Sequence, residues 1–393
     1  MKVIQYLISL FIVFTIAACG GIGNEQPLFY NCDGFKIPEL PEHPKAETYQ
    51  QILDRNRKFG IVGATLMIKD KYGIWVGASG KADLKENVNI QSSNRFLIAS
   101  ISKVFTASAI YKAQDEGLLS IDDPISKWIK PEIISKIKQA DECKISHLLS
   151  HTSGIADYYT VQFELDRMNK KDNQWKQEDI LAYTYGKSPT NKVGETYYYS
   201  NTNFLILGMI LEAATGLSLS DVYKEMIFEP LNLKSAYYSD DISIPQGTVQ
   251  GYADIYGNGQ YVESQFLYGD ELGTGDGGIA INAYDLGIFF EKLIKGEVIS
   301  QVSLKQMTNW FDLPEGWKDE NLGTIKNGYG IEYNKTPYGY SVGHTGGIDG
   351  FLSIAQYFPD EDATFILLTN SANYDGSARL YIFYECLKTM FEK

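Results

Sequence analysis

Ser100 and Lys103 pair a hydroxyl with an amine at the start of a helical pattern. Residues three positions apart lie on the same face of a helix, so the two side chains are expected to be neighbours. Unpaired N–H groups at a helix N-terminus favour the negative charge that develops on an attacking serine. A serine beside an amine is a nucleophile with a base. Alone, the pair is typical of an N-cap serine followed by a solvated lysine.

Two further motifs supply groups for proton transfer and substrate binding. Tyr199 offers a phenol that can share the proton transfer, and Asn201 can orient Lys103 or hold a substrate amide because it both donates and accepts. The stretch His344-Thr345-Gly346-Gly347 is typical of a strand against which a substrate lies closely, since glycine admits close backbone approach. We expect these residues to bind substrate.

Two other patterns have alternative interpretations. His147 and His151 are spaced for a metal pair on a helix, but the Glu of H-E-x-x-H is absent and no third ligand is evident, which favours a structural role. The motifs therefore imply neither a metal nor another cofactor. Gly339-x-Ser341-x-Gly343 matches a nucleophile elbow, yet the glycines from Gly343 to Gly350 are a poor start for the helix that an elbow requires.

Composition limits the class of protein. The chain has 393 residues, of which 44% are hydrophobic, so it can bury a large core in one or two domains. Its formal net charge is -14 and no basic run stands out, which argues against nucleic acid as a partner.

The first residues indicate export. Lys2 precedes a mostly apolar run over residues 3–18, which is short for a membrane span, and small residues lead into Cys19. This pattern resembles the bacterial lipoprotein signal, in which the cysteine is lipidated; the alternative is a plain secretory signal. We expect a lipid anchor at Cys19 and a location in the bacterial cell envelope, outside the cytoplasm. The other cysteines are widely spaced and suggest neither a disulfide framework nor a zinc site.

Strand patterns occur near both ends of the chain, and the middle is mainly helical. Residues 61–68 and 73–77 predict two strands around a turn, and the stretch 125–290 is helical and rich in loops. A final helix follows four late strand-like runs, which are residues 329–333, 338–342, 351–357 and 364–369. The sequence thus predicts an α+β fold, in which one antiparallel sheet uses both chain ends and is flanked by helices, with a helical insertion beside it.

The motifs, taken in order, resemble those of the serine beta-lactamase and penicillin-binding-protein superfamily, in its class C beta-lactamase, DD-peptidase and esterase branch. The stretches His147–Gly154 and Gly117–Pro124 also resemble landmarks of that branch. The resemblance covers residues 46–393 and implies a beta-lactamase/transpeptidase-like fold. The expected organisation is a signal peptide (1–18), a tether (19–45) and a catalytic domain (46–393), with its sheet in 46–118 and 290–393 and its helices in 119–289.

This resemblance implies a serine hydrolase that forms an acyl-enzyme on Ser100. It assigns catalysis to Ser100, Lys103, Tyr199 and Asn201, and an oxyanion hole to the backbone N–H groups of Ser100 and Gly347. A D-alanyl peptide, a beta-lactam and a carboxylic ester all remain possible substrates. The alternative is a catalytically silent envelope lipoprotein that binds peptidoglycan peptides or a protein partner.

The third motif bears on the substrate. Many relatives carry Lys where this chain has His344, and a Lys would hold a fixed charge for a substrate carboxylate. His344 is largely neutral above its ordinary pKa, and Asp349 adds negative charge nearby, so both weaken the case for a carboxylate-bearing substrate. We expect any carboxylate substrate to be turned over faster at lower pH, through protonation of His344.

Overall fold

The computed structural model describes residues 28–170, 175–238, 245–264, 274–372 and 377–392. The predicted signal peptide and Cys19 lie outside the described residues. Of the described helices, none is by itself long and apolar enough to cross a membrane; one pair, Asn201–Thr215 with Leu219–Phe228, passes by length and composition together but is bent by 83°.

Within the described residues, nine strands form one large sheet in the order β3-β2-β1-β14-β13-β12-β11-β10-β9. The two small sheets have the orders β4-β8-β5 and β15-β6-β7. The strands are β1 Gly63–Asp70, β2 Gly73–Asp83, β3 Val88–Asn89, β4 Phe96–Leu97, β5 Tyr237–Tyr238, β6 Tyr252–Ala253, β7 Val262–Glu263, β8 Ile279–Ile281, β9 Phe311–Asp312, β10 Thr324–Asn327, β11 Glu332–Thr336, β12 Gly339–Ile348, β13 Phe351–Phe358, β14 Ala363–Thr369 and β15 Ser371–Ala372.

The large sheet joins the two ends of the chain. β1 pairs antiparallel with β14, from Ala64 opposite Thr369 to Lys69 opposite Thr364. The predicted sheet from early and late strands is therefore confirmed. The sequence missed β9 and β10, which continue the sheet beyond β11. These strands are short and polar, so they lack the apolar alternation that identifies a strand in a sequence.

Helices cover both faces of the sheet and fill most of the middle of the chain. They are α1 Ala46–Arg57, α2 Ser102–Asp115, α3 Pro131–Ile134, α4 Ile145–Leu149, α5 Val161–Asn169, α6 Gln177–Leu181, α7 Asn201–Thr215, α8 Leu219–Tyr223, α9 Ala283–Ile294, α10 Gln301–Met307 and α11 Ser377–Phe391.

Alternation along β1 divides the core into two layers. Leu66 and Ile68 pack with the inner faces of α1 and α11, whereas Met67 points to the opposite face of the sheet and joins the larger core around α2, α7 and α9. Successive side chains of a strand point to opposite faces, so a strand buried on both sides is apolar throughout.

Helix α2 is buried on all sides. The sequence predicted one buried face, with Val104, Ala107, Ile110 and Tyr111, but every residue from Ser102 to Tyr111 is buried. The helix packs against α7, α8 and α10, which leaves residues 102–111 no solvent-facing side. A helix surrounded in this way gives its first turn a fixed position, and that turn carries Lys103.

Candidate active site

Ser100 lies in a 3-10 turn, Ala99–Ile101, that leads directly into α2. Lys103, which is 1% exposed, donates from Nζ to Ser100 Oγ at 3.0 Å and to the carbonyl oxygen of Asp276 at 3.0 Å. Ala99 has a φ of 48°, a left-handed conformation that is uncommon for a residue with a Cβ. Such strained backbone is typical of functional turns.

Tyr199 also contacts Ser100. Its hydroxyl donates to Ser100 Oγ at 3.0 Å, although the two residues are 99 positions apart in the sequence. Burial raises the pKa of Tyr199, and the nearby Lys103 opposes that rise. The structure therefore brings a serine, a lysine and a protonated tyrosine together around one oxygen atom.

His151 supports the tyrosine. Its ring stacks on that of Tyr199 with centroids 4.5 Å apart, and its Nδ1 accepts from the backbone N–H of Ser200 at 3.2 Å. Burial, with Lys103 nearby, lowers the pKa of His151 well below its ordinary value, so the ring is neutral near pH 7. Helix α4 ends at Leu149, so the spacing of His147 and His151 does not put them on one helix face. In the described part of the chain, no cluster of three His, Cys, Asp or Glu side chains is placed to hold a metal.

Asn201 is the first residue of α7, and its side chain turns toward an unexpected partner. Its Nδ2 donates to Asp157 Oδ2 at 3.1 Å, and its backbone N–H donates to Asp157 Oδ1 at 3.1 Å. Among the described residues, no hydrogen bond joins its side chain to Lys103. The expected role of Asn201 in holding a substrate amide stays a prediction. Sequence reasoning missed Asp157, because a single acid in a loop matches no spacing rule.

His344 lies on β12 and is 6% exposed. Its Nδ1 lies 2.5 Å from the carbonyl oxygen of Thr345, and its Nε2 lies 3.8 Å from Glu332 Oε1 on β11. Burial lowers the pKa of His344 to about 4, and burial raises the pKa of Glu332 to about 8, so both side chains are uncharged near pH 7. Burial therefore moves the charging of the His344 ring to about pH 4. Faster turnover of a carboxylate substrate at lower pH stays a prediction. Nothing in the sequence pattern pointed to Glu332.

Asp349 does not add an unbalanced negative charge, contrary to expectation. Its Oδ2 lies 2.7 Å from Arg167 NH2, and the Arg167 side chain is 2% exposed. The ion pair ties α5 to the turn after β12. No sequence pattern indicates this contact, since the two residues are 182 positions apart.

The two glycines of β12 have different surroundings. A Cβ on Gly346 would lie 2.2 Å from the carbonyl oxygen of Ile98, just before the Ser100 turn, whereas one on Gly347 would meet only Leu352 at 3.4 Å. Gly347 is exposed, and Thr345 beside it is partly exposed. The β11 ladder ends where Glu332 pairs with Gly343, so the rest of β12 has no partner on that side among the described strands. An open strand edge can pair with an extended substrate.

Ser341 does not have the surroundings of a nucleophile. It is fully buried in β12, and its hydroxyl donates to Gln356 Oε1 at 2.9 Å. The residues after it continue the strand to Ile348, so the helix of a nucleophile elbow is absent there.

This α+β architecture, with a serine, a lysine and a tyrosine converging beside a sheet edge, defines a class of serine hydrolases. The chain belongs to the Beta-lactamase family, whose model matches residues 48–384. It is similar to Penicillin-binding protein 4* of Bacillus subtilis (strain 168), with 28% identity over 305 residues, 74% of this chain and 64% of that protein. It is also similar to Protein flp of Staphylococcus aureus (strain MW2), with 29% identity over 179 residues, 45% of this chain and 35% of that protein. The matched stretches thus span less than two thirds of these relatives.

Solved structures share the fold. A D-stereospecific amidohydrolase from Streptomyces sp. superposes with a TM-score of 0.75 at 24% identity, covering 87% of this chain and 98% of that one. The D-amino acid amidase from Ochrobactrum anthropi SV3, complexed with D-phenylalanine, superposes with a TM-score of 0.76 at 22% identity, covering 87% and 99%. The predicted fold class and superfamily resemblance are confirmed.

Proposed function

We propose that this protein is a serine acyl hydrolase that acts through an acyl-Ser100 intermediate. The observation that carries the proposal is the position of Ser100 Oγ, 3.0 Å from both Lys103 Nζ and Tyr199 OH. These are the distances at which a nucleophile exchanges protons with a base and an acid. A protein that only binds a partner does not need a serine held between a base and an acid. This arrangement therefore supports a serine hydrolase over the catalytically silent alternative.

The acylation step has a defined proton balance. Ser100 Oγ bonds to the substrate carbonyl carbon while its proton passes to neutral Lys103. Tyr199 then gives its proton to the departing amine or alkoxide as the bond to the carbonyl carbon breaks, and the lysine proton restores the phenol. The raised pKa of Tyr199 keeps the phenol protonated for this task. Water repeats the sequence on the acyl-enzyme and releases the acid.

The negatively charged oxygen of the tetrahedral intermediate needs hydrogen-bond donors that are already in place. The backbone N–H groups of Ser100 and Gly347 are assigned this role, and one such donor typically contributes about 3–4 kcal/mol to lowering the barrier. Support comes from the close approach of β12 to the Ser100 turn at Gly346, which holds the two segments in register. Thr345 and the exposed Gly347 then border the open strand edge on which a substrate can lie.

The charges favour an amide or ester without a carboxylate next to the scissile bond. Lys103 is engaged by Ser100 and the Asp276 carbonyl, and Arg167 is paired with Asp349. His344 is uncharged near pH 7. A beta-lactam or a free D-alanyl terminus would therefore bring its carboxylate to a site with no fixed cation among these residues to receive it. The D-amino acid amidase among the structural relatives supports an amide substrate.

A matched pair of substrates tests this preference. N-acetyl-D-alanyl-D-alanine and its C-terminal amide differ only in the terminal charge. The proposal predicts a kcat/KM at least tenfold higher for the amide form, with D-alanine amide released. A higher kcat/KM for the free acid would contradict the charge argument, and turnover of neither, without labelling of Ser100 by a fluorophosphonate, would favour the silent lipoprotein.

For localisation we propose a lipid anchor at Cys19 in the bacterial cell envelope, outside the cytoplasm. The support is the signal-like run that ends in small residues before Cys19. Expression of the full chain with a labelled fatty acid tests this assignment. Label in the protein that disappears in Cys19→Ser supports the anchor, and label that persists in the variant contradicts it.

A further inference from the structure

Asp157 lies in the loop that follows His151 and contacts the first turn of α7. Its Oδ1 accepts from the backbone N–H groups of Asn201, at 3.1 Å, and Tyr159, at 3.2 Å. Its Oδ2 accepts from Nδ2 of Asn201 at 3.1 Å. One carboxylate thus holds both the backbone and the side chain of Asn201.

A carboxylate decides which way an asparagine amide faces. An ionised carboxylate only accepts hydrogen bonds, so Asn201 must present its nitrogen to Asp157 and its oxygen to the other side. A second amide N–H is also left for the site. The Asn201 side chain therefore keeps one hydrogen-bond acceptor and one donor available, and such a pair can recognise another amide.

The geometry points to Asp157 as a positioning residue, which fixes the Asn201 amide so that its oxygen and its second N–H bind the acyl-side amide of the substrate. This rests on the proposed function of Ser100 and deepens it, because it selects substrates that carry an amide next to the scissile carbonyl. N-acylated amino acid amides have that group, and simple acyl esters lack it.

The groups around Asp157 determine when it is charged. Burial raises the pKa of Asp157 to about 6, and Asp276 adds to the rise; Lys103 and the N–H groups of Tyr159 and Asn201 oppose it. The N-terminus of α7 also favours the charged form. A carboxyl protonated below about pH 6 can donate as well as accept, so it no longer fixes the amide. The hydrolysis of amide substrates then has an acid limb near pH 6.

The test compares Asp157→Asn with the wild type in the full chain. The substrate is N-acetyl-D-alanyl-D-alanine amide, and a fluorophosphonate probe, which has no acyl-side amide, reports on Ser100 itself. We expect kcat/KM for the peptide to fall roughly 10- to 100-fold, as for a misplaced binding group, while probe labelling changes less than twofold. The acid limb near pH 6 is lost in the variant.

A double variant separates positioning from a general loss of structure. If Asp157 acts through Asn201, Asp157→Asn combined with Asn201→Ala loses no more activity than Asn201→Ala alone. Asp285→Asn is a matched control, since Asp285 is also a buried carboxylate that accepts from a backbone N–H, that of Ser235 at 2.7 Å. It is expected to lower stability and leave kcat/KM per folded molecule unchanged.

Three results overturn the inference: full peptide turnover by Asp157→Asn, additive losses in the double variant, or equal losses for the peptide and the probe. If Asp157→Asn does not fold, the pH profile of peptide hydrolysis by Asn201→Ala tests the inference instead. An acid limb near pH 6 that persists without the Asn201 side chain also refutes the positioning role of Asp157. If the wild type is not labelled by the fluorophosphonate and does not hydrolyse the peptide, the proposed function itself is refuted. Labelling of the wild type therefore distinguishes failure of the Asp157 inference from failure of the proposed function.

Discussion

Gly346 on β12 packs closely against the segment that leads into the Ser100 turn. A single methyl group at this position should therefore displace both β12 and the turn. In Gly346→Ala the new Cβ would lie 2.2 Å from the Ile98 carbonyl oxygen and 2.3 Å from Ser353 Oγ. Ordinary contacts are more than 1 Å longer. The Ser353 hydroxyl can rotate, but it donates to the same carbonyl at 3.3 Å, so moving it breaks that bond.

The cost follows from these contacts. Overpacking of a closed site typically costs about 1–3 kcal/mol, and a clash with backbone belongs at the upper end, about 3 kcal/mol. Because Ile98 is two residues before Ser100, relief of the clash moves the nucleophile. A shift of about 1 Å can cost roughly 100-fold in rate.

Gly347→Ala is the matched control for stability, because its Cβ would meet only Leu352 Cδ2 at an ordinary 3.4 Å. Urea unfolding of both variants gives the stabilities, and fluorophosphonate labelling gives the rate of attack by Ser100. We expect Gly347→Ala to stay within about 0.5 kcal/mol of the wild type, as is usual for exposed sites. Equal stability of the two variants, or a wild-type labelling rate in Gly346→Ala, would refute the contact between β12 and the Ser100 turn.

Three further variants test the charges and donors around the site. Tyr199→Phe removes the donor to Ser100 and should lower kcat by about 10²- to 10⁴-fold with little loss of stability, measured by steady-state kinetics and thermal unfolding. His344→Gln should leave the pH profile unchanged between pH 5 and 8, because the pKa of His344 is held at about 4; an altered profile would mean that the ring is charged. Burial raises the pKa of Glu332 to about 8, so the folded state keeps a proton that the unfolded chain loses near pH 4.5, and this contribution to stability falls as pH rises from about 5 to 8. Glu332→Gln should flatten that slope in urea unfolding, and an unchanged slope would contradict the assignment.

The parts of the site that follow from short spacing could be predicted from sequence. Ser100 and Lys103 share one helical turn, so their approach is fixed by local geometry. Tyr199 is distant in the chain, and its place came from the order of motifs. The early and late strands were predicted because each carries a strong apolar pattern.

The site features that the sequence did not predict arise where segments distant in the chain come into contact. Asp157 gains its role from the start of α7, and Glu332 from the pairing of β11 with β12. Arg167 and Asp349 are joined by the way α5 packs. The low pKa of His344 has the same origin, because the pKa of an imidazole depends on burial, which one strand position does not reveal.

The proposed function depends on Ser100 being the acylated nucleophile. The direct measurement is the intact mass of the full chain after fluorophosphonate treatment, with peptide mapping, for the wild type, Ser100→Ala and Ser341→Ala. We expect one adduct on Ser100, lost in Ser100→Ala and retained in Ser341→Ala. An adduct that persists in Ser100→Ala, or that maps to another serine, would contradict it.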